Sequence, residues 1–264
     1  MSSAQTVAAA PRPDRTVRTE GGLTLHTWAH RSAEPDPVLL VHGFGSSTLY
    51  NWVKTGWVAA LLRAGRTVVS ADLPGHGESA DVDPRGMRTR DIVADLTEQL
   101  ERRGPAEVHG YSLGSRLSWE LAAGRPDLVA SLVVGGAPST DRLGDLDTSQ
   151  ARRWYRTGDL PDHEMTRAVV PTAAALPGQH VPHAVELLLS LAEDPYDPTA
   201  AVPRVPTLVV AGEKDVIAAD AAGLRDLVRK AGAESEYVSV PGRNHVNVLT
   251  SQHYRRAVID FLSR

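Results

Sequence analysis

The sequence contains no cysteine. That single absence excludes disulfides, cysteine nucleophiles and cysteine-ligated metals. Lysine is scarce as well, limited to Lys54, Lys214 and Lys230, and the many arginines are scattered rather than set in a stripe. With a formal net charge of −4, the composition gives no reason to expect nucleic acid or an anionic membrane as partner. No run approaches the roughly 18–20 apolar residues needed to cross a bilayer. Residues 1–14 lack the continuous apolar core of a secretory signal, and Pro11 and Pro13 break any helix there. We therefore expect a flexible leader over 1–14 and a cytoplasmic location. Internal repeats are absent too. What remains is ordinary globular material, 42% hydrophobic and 23% charged in 264 residues. A chain of this length buries a substantial core, in one large domain or two small ones.

The Gly21-Gly22 pair separates two strand-like stretches, 15–20 and 23–28, which reads as a β-hairpin. After the proline-rich 34–37, residues 38–41 are Val-Leu-Leu-Val, continuously apolar as in a strand buried on both faces. A helical pattern within 55–64 leads to a second buried strand at 67–70. Another helix begins at Thr89, where Ile92, Val93, Leu96 and Leu100 recur at helical spacing. Strand 106–109, helix 115–123 and strand 128–134 follow. This alternation predicts an α/β fold with a mainly parallel, doubly wound sheet. Between 138 and 202 the rhythm changes: strand-like runs vanish, prolines recur, and helical patterns occupy 148–157, 162–173 and 182–191. We read 139–202 as a helical cap inserted into a core made of 15–138 and 203–264. The alternation resumes with strand 207–211, helix 219–231 and strand 236–240. The chain closes on a helix whose apolar face is Tyr254, Ala257, Val258, Phe261 and Leu262.

Chemistry concentrates at Gly110-Tyr111-Ser112-Leu113-Gly114, between strand 106–109 and helix 115–123. The order matches the G-x-S-x-G nucleophile elbow, a tight strand-to-helix turn that raises a serine hydroxyl above a sheet. Its glycines are needed because residues two before and two after the serine pass too closely for side chains. The same letters also fit a plain helix cap at Ser112, so partners must decide. A serine hydroxyl needs an adjacent base that is oriented by a third group. In doubly wound sheets reactive groups collect at the carboxyl ends of strands. His245 is the histidine downstream of Ser112 that follows a strand; His163, His180 and His183 fall in the cap, and His253 lies on the last helix. Asp215 follows strand 207–211 and is the first choice of acid, with Asp141 as runner-up and Glu213 weaker; an N-cap role for Asp215 is the bland alternative. Backbone N–H groups of Leu113 and of the glycine-flanked Phe44 are the expected oxyanion hole.

These motifs together resemble the α/β-hydrolase superfamily, in the serine-nucleophile branch with a helical cap. The resemblance rests on His42-Gly43-Phe44-Gly45, on Asp72-Leu73-Pro74-Gly75-His76-Gly77-Glu78-Ser79, on the elbow, on Gly212-Glu213-Lys214-Asp215 and on Asn244-His245, in the family's order. It implies an α/β-hydrolase fold and a Ser112–His245–Asp215 triad, with Phe44 and Leu113 donating to the oxyanion. It implies hydrolysis of an ester-like bond in a small-molecule substrate, with no metal and no cofactor. Relatives with the same triad include C–C hydrolases, thioesterases, acyltransferases, haloperoxidases, lyases and cyclases, and a binding protein that keeps the fold without the reaction is a further alternative. His42 and His76 are expected to support loops. Tyr111, Trp154 and Tyr155 are candidates for the substrate pocket. Arg152, Arg153 and Arg156 are read as a solvated cap face, or alternatively as contacts for a substrate carboxylate.

Overall fold

The computed structural model describes residues 10–30 and 37–264. Eight strands form one sheet: β1 (Arg15–Arg18), β2 (Thr24–Trp28), β3 (Val38–Val41), β4 (Val68–Asp72), β5 (Ala106–Tyr111), β6 (Val129–Gly135), β7 (Thr207–Gly212) and β8 (Ser235–Val240). Their order across the sheet is β1-β2-β4-β3-β5-β6-β7-β8. β1 and β2 form the antiparallel hairpin expected around Gly21-Gly22, and β2 pairs antiparallel with β4. All remaining pairs are parallel.

The continuous apolar runs of the inner strands split by the two-residue period of a strand. Leu39, Val41, Val69, Ala71, Val108, Leu132, Val134 and Val209 face one side, where they pack in one cluster with apolar residues of α2 (Thr89–Arg103), α3 (Leu113–Gly124) and α7 (Ala222–Lys230). Val38, Leu40, Val68, Val133, Leu208 and Val210 face the other and meet α1 (Trp57–Arg63) and α8 (Gln252–Leu262). Neither face is left to water. That is why these strands carry no polar alternation. On the helices, Ile92, Leu96 and Leu100 of α2 and Leu113, Leu117 and Leu121 of α3 recur every four residues and so fall on one buried stripe.

Between β6 and β7 the regular elements are helical: α4 (Thr148–Thr157), α5 (Glu164–Val169) and α6 (Val181–Ala192), with short 3₁₀ turns at Leu143–Asp145 and Val170–Ala174. They hold a small apolar cluster of their own around Leu146, Ala151, Val185, Leu188 and Leu189. Among the described residues, no helix is long and apolar enough to cross a membrane. Of the leader expected over 1–14, residues 1–9 lie outside the described residues, as does most of the proline-rich 34–37. Described residues at the end of that stretch are tied to β2. Trp28 Nε1 donates to the Pro11 carbonyl (3.2 Å), and the Asp14 N–H donates to Thr27 O (2.8 Å).

Candidate active site

The turn from β5 into α3 places Ser112 at φ 52°, ψ −116°. It is the one non-glycine residue with positive φ among the described residues. Its N–H is tied to Gly135 O at 2.7 Å, so β6 helps hold a backbone that costs of order 1–3 kcal/mol to maintain. The flanking glycines are required by contact. A Cβ on Gly110 would stand 2.4 Å from Gly114 O, and one on Gly114 would stand 2.1 Å from Val41 O. A serine that merely capped a helix would impose neither constraint. This turn is an elbow.

The Ser112 hydroxyl donates to His245 Nε2 at 3.0 Å, and His245 Nδ1–H donates to Asp215 Oδ2 at 2.9 Å. His245 stands in the loop after β8, and Asp215 in the loop after β7. Asp215 is buried. Its other oxygen, Oδ1, accepts the N–H groups of Ile217 and Ala218, each at 3.0 Å. Oδ1 thus closes a local turn and does not cap the following helix α7, whose N-cap is Ala221, so the N-cap alternative does not describe Asp215. Asp141 takes a different part: its oxygens accept the N–H of Leu143 (2.9 Å) and of Tyr196 (3.0 Å), tying together the two ends of the helical insert. Glu213 accepts from the Gly242 N–H.

After β3 the chain passes across Ser112, and a Cβ on Gly43 would lie 3.2 Å from the Ser112 Cβ. The N–H of Gly43 is committed to Asn51 Oδ1 (3.3 Å) and that of Gly45 to His76 Nε2 (3.1 Å). Among the described residues no acceptor meets the N–H of Phe44 or of Leu113. Those are the two donors expected for an oxyanion.

Buried histidines brace this loop. His76 accepts from Gly45 at Nε2 and donates from Nδ1 to Pro74 O (2.9 Å), which requires the neutral ring. Burial, with His42 nearby, pushes its pKa down to about 3. His42 has the same pattern, accepting from the Leu73 N–H (3.0 Å) and donating to Gly43 O (2.8 Å), and burial lowers its pKa also. Asp72 lies beside them. Burial opposes its ionisation, but a hydrogen bond from His26, the proximity of His42 and the Glu78 N–H hold it at about 2. The loop 72–79 is thus structural, as expected for His76.

A cavity of about 100 Å³ opens beside Ser112, lined from the core by Phe44 and Leu113 and from the insert by Leu146, Met165, Val169 and Leu188. The three side chains expected to line it do not. Tyr111 is buried below Ser112 and His245, where its hydroxyl donates to the main-chain carbonyl of His245. Trp154 packs with the insert's own cluster, and Tyr155 donates to Glu186 at 2.6 Å. Trp154 and Tyr155 lie on α4, which packs that face on α6, and Tyr111 ends β5 with its side chain beneath the His245 loop. Arg152 likewise ion-pairs with the buried Glu186 (3.1 Å), so only Arg153 and Arg156 form a solvated face. The cavity arginines are instead Arg116 and Arg142. No sequence signal marked them. His180 and His183 are engaged locally, His180 Nδ1 accepting the His183 N–H (3.3 Å). Among the described residues no group of three or more His, Asp or Glu is set to hold a metal.

A parallel sheet carrying a strained serine, a histidine and an acid on three strand-end loops defines a class of enzyme-like folds. The pattern of the alpha/beta hydrolase fold family matches residues 36–179, more than half of the chain. The chain belongs to that family. It is 37% identical over 128 residues to the dihydrolipoyllysine-residue acetyltransferase component of an acetoin cleaving system from Pseudomonas putida, covering 47% of this chain and 32% of that protein. It is 27% identical over 122 residues to (E)-2-((N-methylformamido)methylene)succinate hydrolase of Acinetobacter baylyi, covering 46% of this chain and 44% of the relative. The chain thus spans less than half the length of these curated relatives. An esterase structure from Thermogutta terrifontis superposes with a TM-score of 0.70 at 22% identity, over 91% of this chain and 93% of that one. That likeness speaks for the fold.

Proposed function

We propose that this protein is a serine hydrolase that cleaves an ester-like acyl bond of a small molecule, with Ser112 as nucleophile, His245 as base and Asp215 as orienting acid. One observation carries the reading: the unbroken hydrogen-bond chain from Asp215 through His245 to Ser112 ends in an apolar cavity. Ser112 Oγ attacks the substrate carbonyl while His245 Nε2 takes its proton. The charge that develops on the carbonyl oxygen is met by the N–H groups of Phe44 and Leu113, each worth about 3 kcal/mol of barrier. The tetrahedral adduct collapses, His245 protonates the departing alcohol, and an acyl-enzyme remains. Water then enters, loses a proton to His245 and releases the acid. Every step uses groups of the chain itself.

Residues 139–202 serve as the cap in this reading, over a core of 15–138 and 203–264. The insert is seated on the active-site loops by contact: Gln179 donates to Ser46 O (2.8 Å) and the His180 N–H to Gly75 O (3.2 Å). The acetyltransferase component among the relatives favours a second reading, in which the acyl-enzyme passes its acyl group to an alcohol or thiol instead of water. Ser112→Ala tests both. It should abolish ester turnover, lowering kcat by about 10⁶-fold as in other triad enzymes, and abolish labelling by a fluorophosphonate probe. Persistent labelling of that variant refutes the assignment. Product analysis with added alcohol then separates hydrolysis from transfer.

A further inference from the structure

Arg142 stands at the start of the turn Leu143–Asp145, half-buried on the wall of the cavity that holds Ser112. Its Nε is buried and makes no hydrogen bond. Among the described residues no carboxylate forms an ion pair with its guanidinium. Neighbouring arginines are engaged. Arg152 pairs with Glu186; Arg116, whose Nε likewise makes no hydrogen bond, stands 3.6 Å from the Glu120 carboxylate and donates to Leu191 O, Asp194 O and Thr89 Oγ1. The adjacent Asp141 also lines the chamber, but its oxygens accept the N–H groups of Leu143 and Tyr196 and it forms no ion pair with Arg142. Asp145 and Glu164 border the same region without pairing with it.

The position of Arg142 gives this unpaired charge a use. Arg142, Met165, Val169 and Ile217 line both the inner chamber of about 100 Å³ and an outer cleft of about 660 Å³. The two spaces therefore adjoin at these four side chains, with one cation in an otherwise apolar neck. A guanidinium is a planar fork that matches a carboxylate with two parallel hydrogen bonds. An unpaired one beside apolar walls is a cost to the free protein, and a ligand anion removes it.

We propose that Arg142 binds a carboxylate carried by the substrate, so that the enzyme acts on small esters with a short apolar segment and a free carboxylate. The proposal rests on the serine-hydrolase reading above. The reacting carbonyl sits at Ser112, the apolar segment fills the chamber between Phe44, Leu146 and Leu188, and the carboxylate meets Arg142 at the neck. The chamber's volume suits a short chain and not a long lipid tail.

Two matched ester pairs test it. In the first, mono-p-nitrophenyl glutarate and p-nitrophenyl valerate have acyl chains of equal length and differ by a terminal carboxylate. In the second, butyryl esters of 4-hydroxybenzoate and 4-hydroxybenzamide differ by charge on the leaving group. The parent protein should favour the charged member of at least one pair in kcat/KM. Arg142→Met should cut that preference about 10- to 100-fold, the range for a charge-assisted hydrogen bond, mainly through KM, and Arg142→Lys should retain part of it. An equal ratio in the parent and in Arg142→Met, for both pairs, overturns the proposal. Should Arg142→Met fail to fold, the parent alone decides: it should favour the charged member of at least one ester pair in kcat/KM, and no such preference in either pair overturns the idea. Ser112→Ala separates the two levels. Turnover that survives in that variant overturns the serine-hydrolase reading. An inert Ser112→Ala with an unchanged ratio in Arg142→Met overturns the role of Arg142 alone.

Discussion

The substitution Asp215→Asn isolates the tautomer of His245 from nearly every other property of the site. The side chain keeps its shape, and its orientation is dictated by the backbone around it. Ile217 and Ala218 each direct an N–H at Asp215 Oδ1 from 3.0 Å, and a buried donor left without an acceptor costs about 1–3 kcal/mol. The oxygen of the new carboxamide therefore takes the Oδ1 position, and its NH₂ takes the position of Oδ2, 2.9 Å from His245 Nδ1. A donor now faces Nδ1, so the ring proton moves to Nε2, which then points at Ser112 Oγ across 3.0 Å. In the proposed mechanism this removes the base while the geometry remains. Triads of this kind lose about 10⁴-fold in kcat on that change, which equals about 5 kcal/mol of barrier. We expect kcat on p-nitrophenyl esters to fall by about 10³- to 10⁴-fold, fluorophosphonate labelling of Ser112 to slow in parallel, and the melting temperature to move by only a few degrees. Turnover within tenfold of the parent would refute the coupling of Asp215 to Ser112 through His245.

Three further outcomes follow from the packing and the buried charges. Gly114→Ala would set a Cβ 2.1 Å from Val41 O and 2.6 Å from His42 O, both backbone atoms; it should lose about 1–3 kcal/mol or more of stability in urea titration, and a neutral effect would contradict the close crossing of β3 and α3. Gly124→Ala, at the end of the same helix with nothing within 4 Å of the added Cβ, should be neutral or gain up to about 1 kcal/mol. Stability should also fall with acid. His76 and His109 are held neutral by burial, with pKa values near 3 against 6.5 for an ordinary histidine. The unfolded chain binds both protons first, so their stabilisation is complete above about pH 6.5 and drains away as pH drops toward 3. Two such groups give a slope of about 2.7 kcal/mol per pH unit well below pH 6.5. His42, lowered in the same direction, adds to this slope, so His109→Gln should reduce it by about 1.4 kcal/mol per pH unit in urea unfolding between about pH 6 and pH 4.5, and an unchanged slope would remove His109 from this account.

Much of the molecule was legible along the chain. The strands at 38–41 and 207–212 are apolar without alternation because both of their faces are covered, and that condition is visible residue by residue. The helices α2, α3 and α8 announce themselves by recurrent apolar residues, and the elbow by glycines whose neighbours leave no room for a Cβ. Ser112, His245 and Asp215 could be singled out because each ends a strand, and the carboxyl ends of parallel strands converge whatever the sequence between them.

The cavity was not legible, and the reason is geometric. Its walls come from residues far apart in the chain, such as Phe44, Arg142, Leu188 and Ile217, brought together by how the insert seats on the sheet. Within α4 the sequence offered Trp154 and Tyr155 as pocket candidates and Arg152 as part of a solvated face or a substrate contact. Only the packing of α4 on α6 turned them to Glu186 and an apolar cluster of their own. The sequence by itself determined the sheet, its order of strands and helices along the chain, and the three residues at strand ends, because these depend on periodicity and local backbone limits. The tertiary structure alone decided which tyrosines and arginines face the space beside Ser112, because a side chain's partner is set by whatever element lies opposite it.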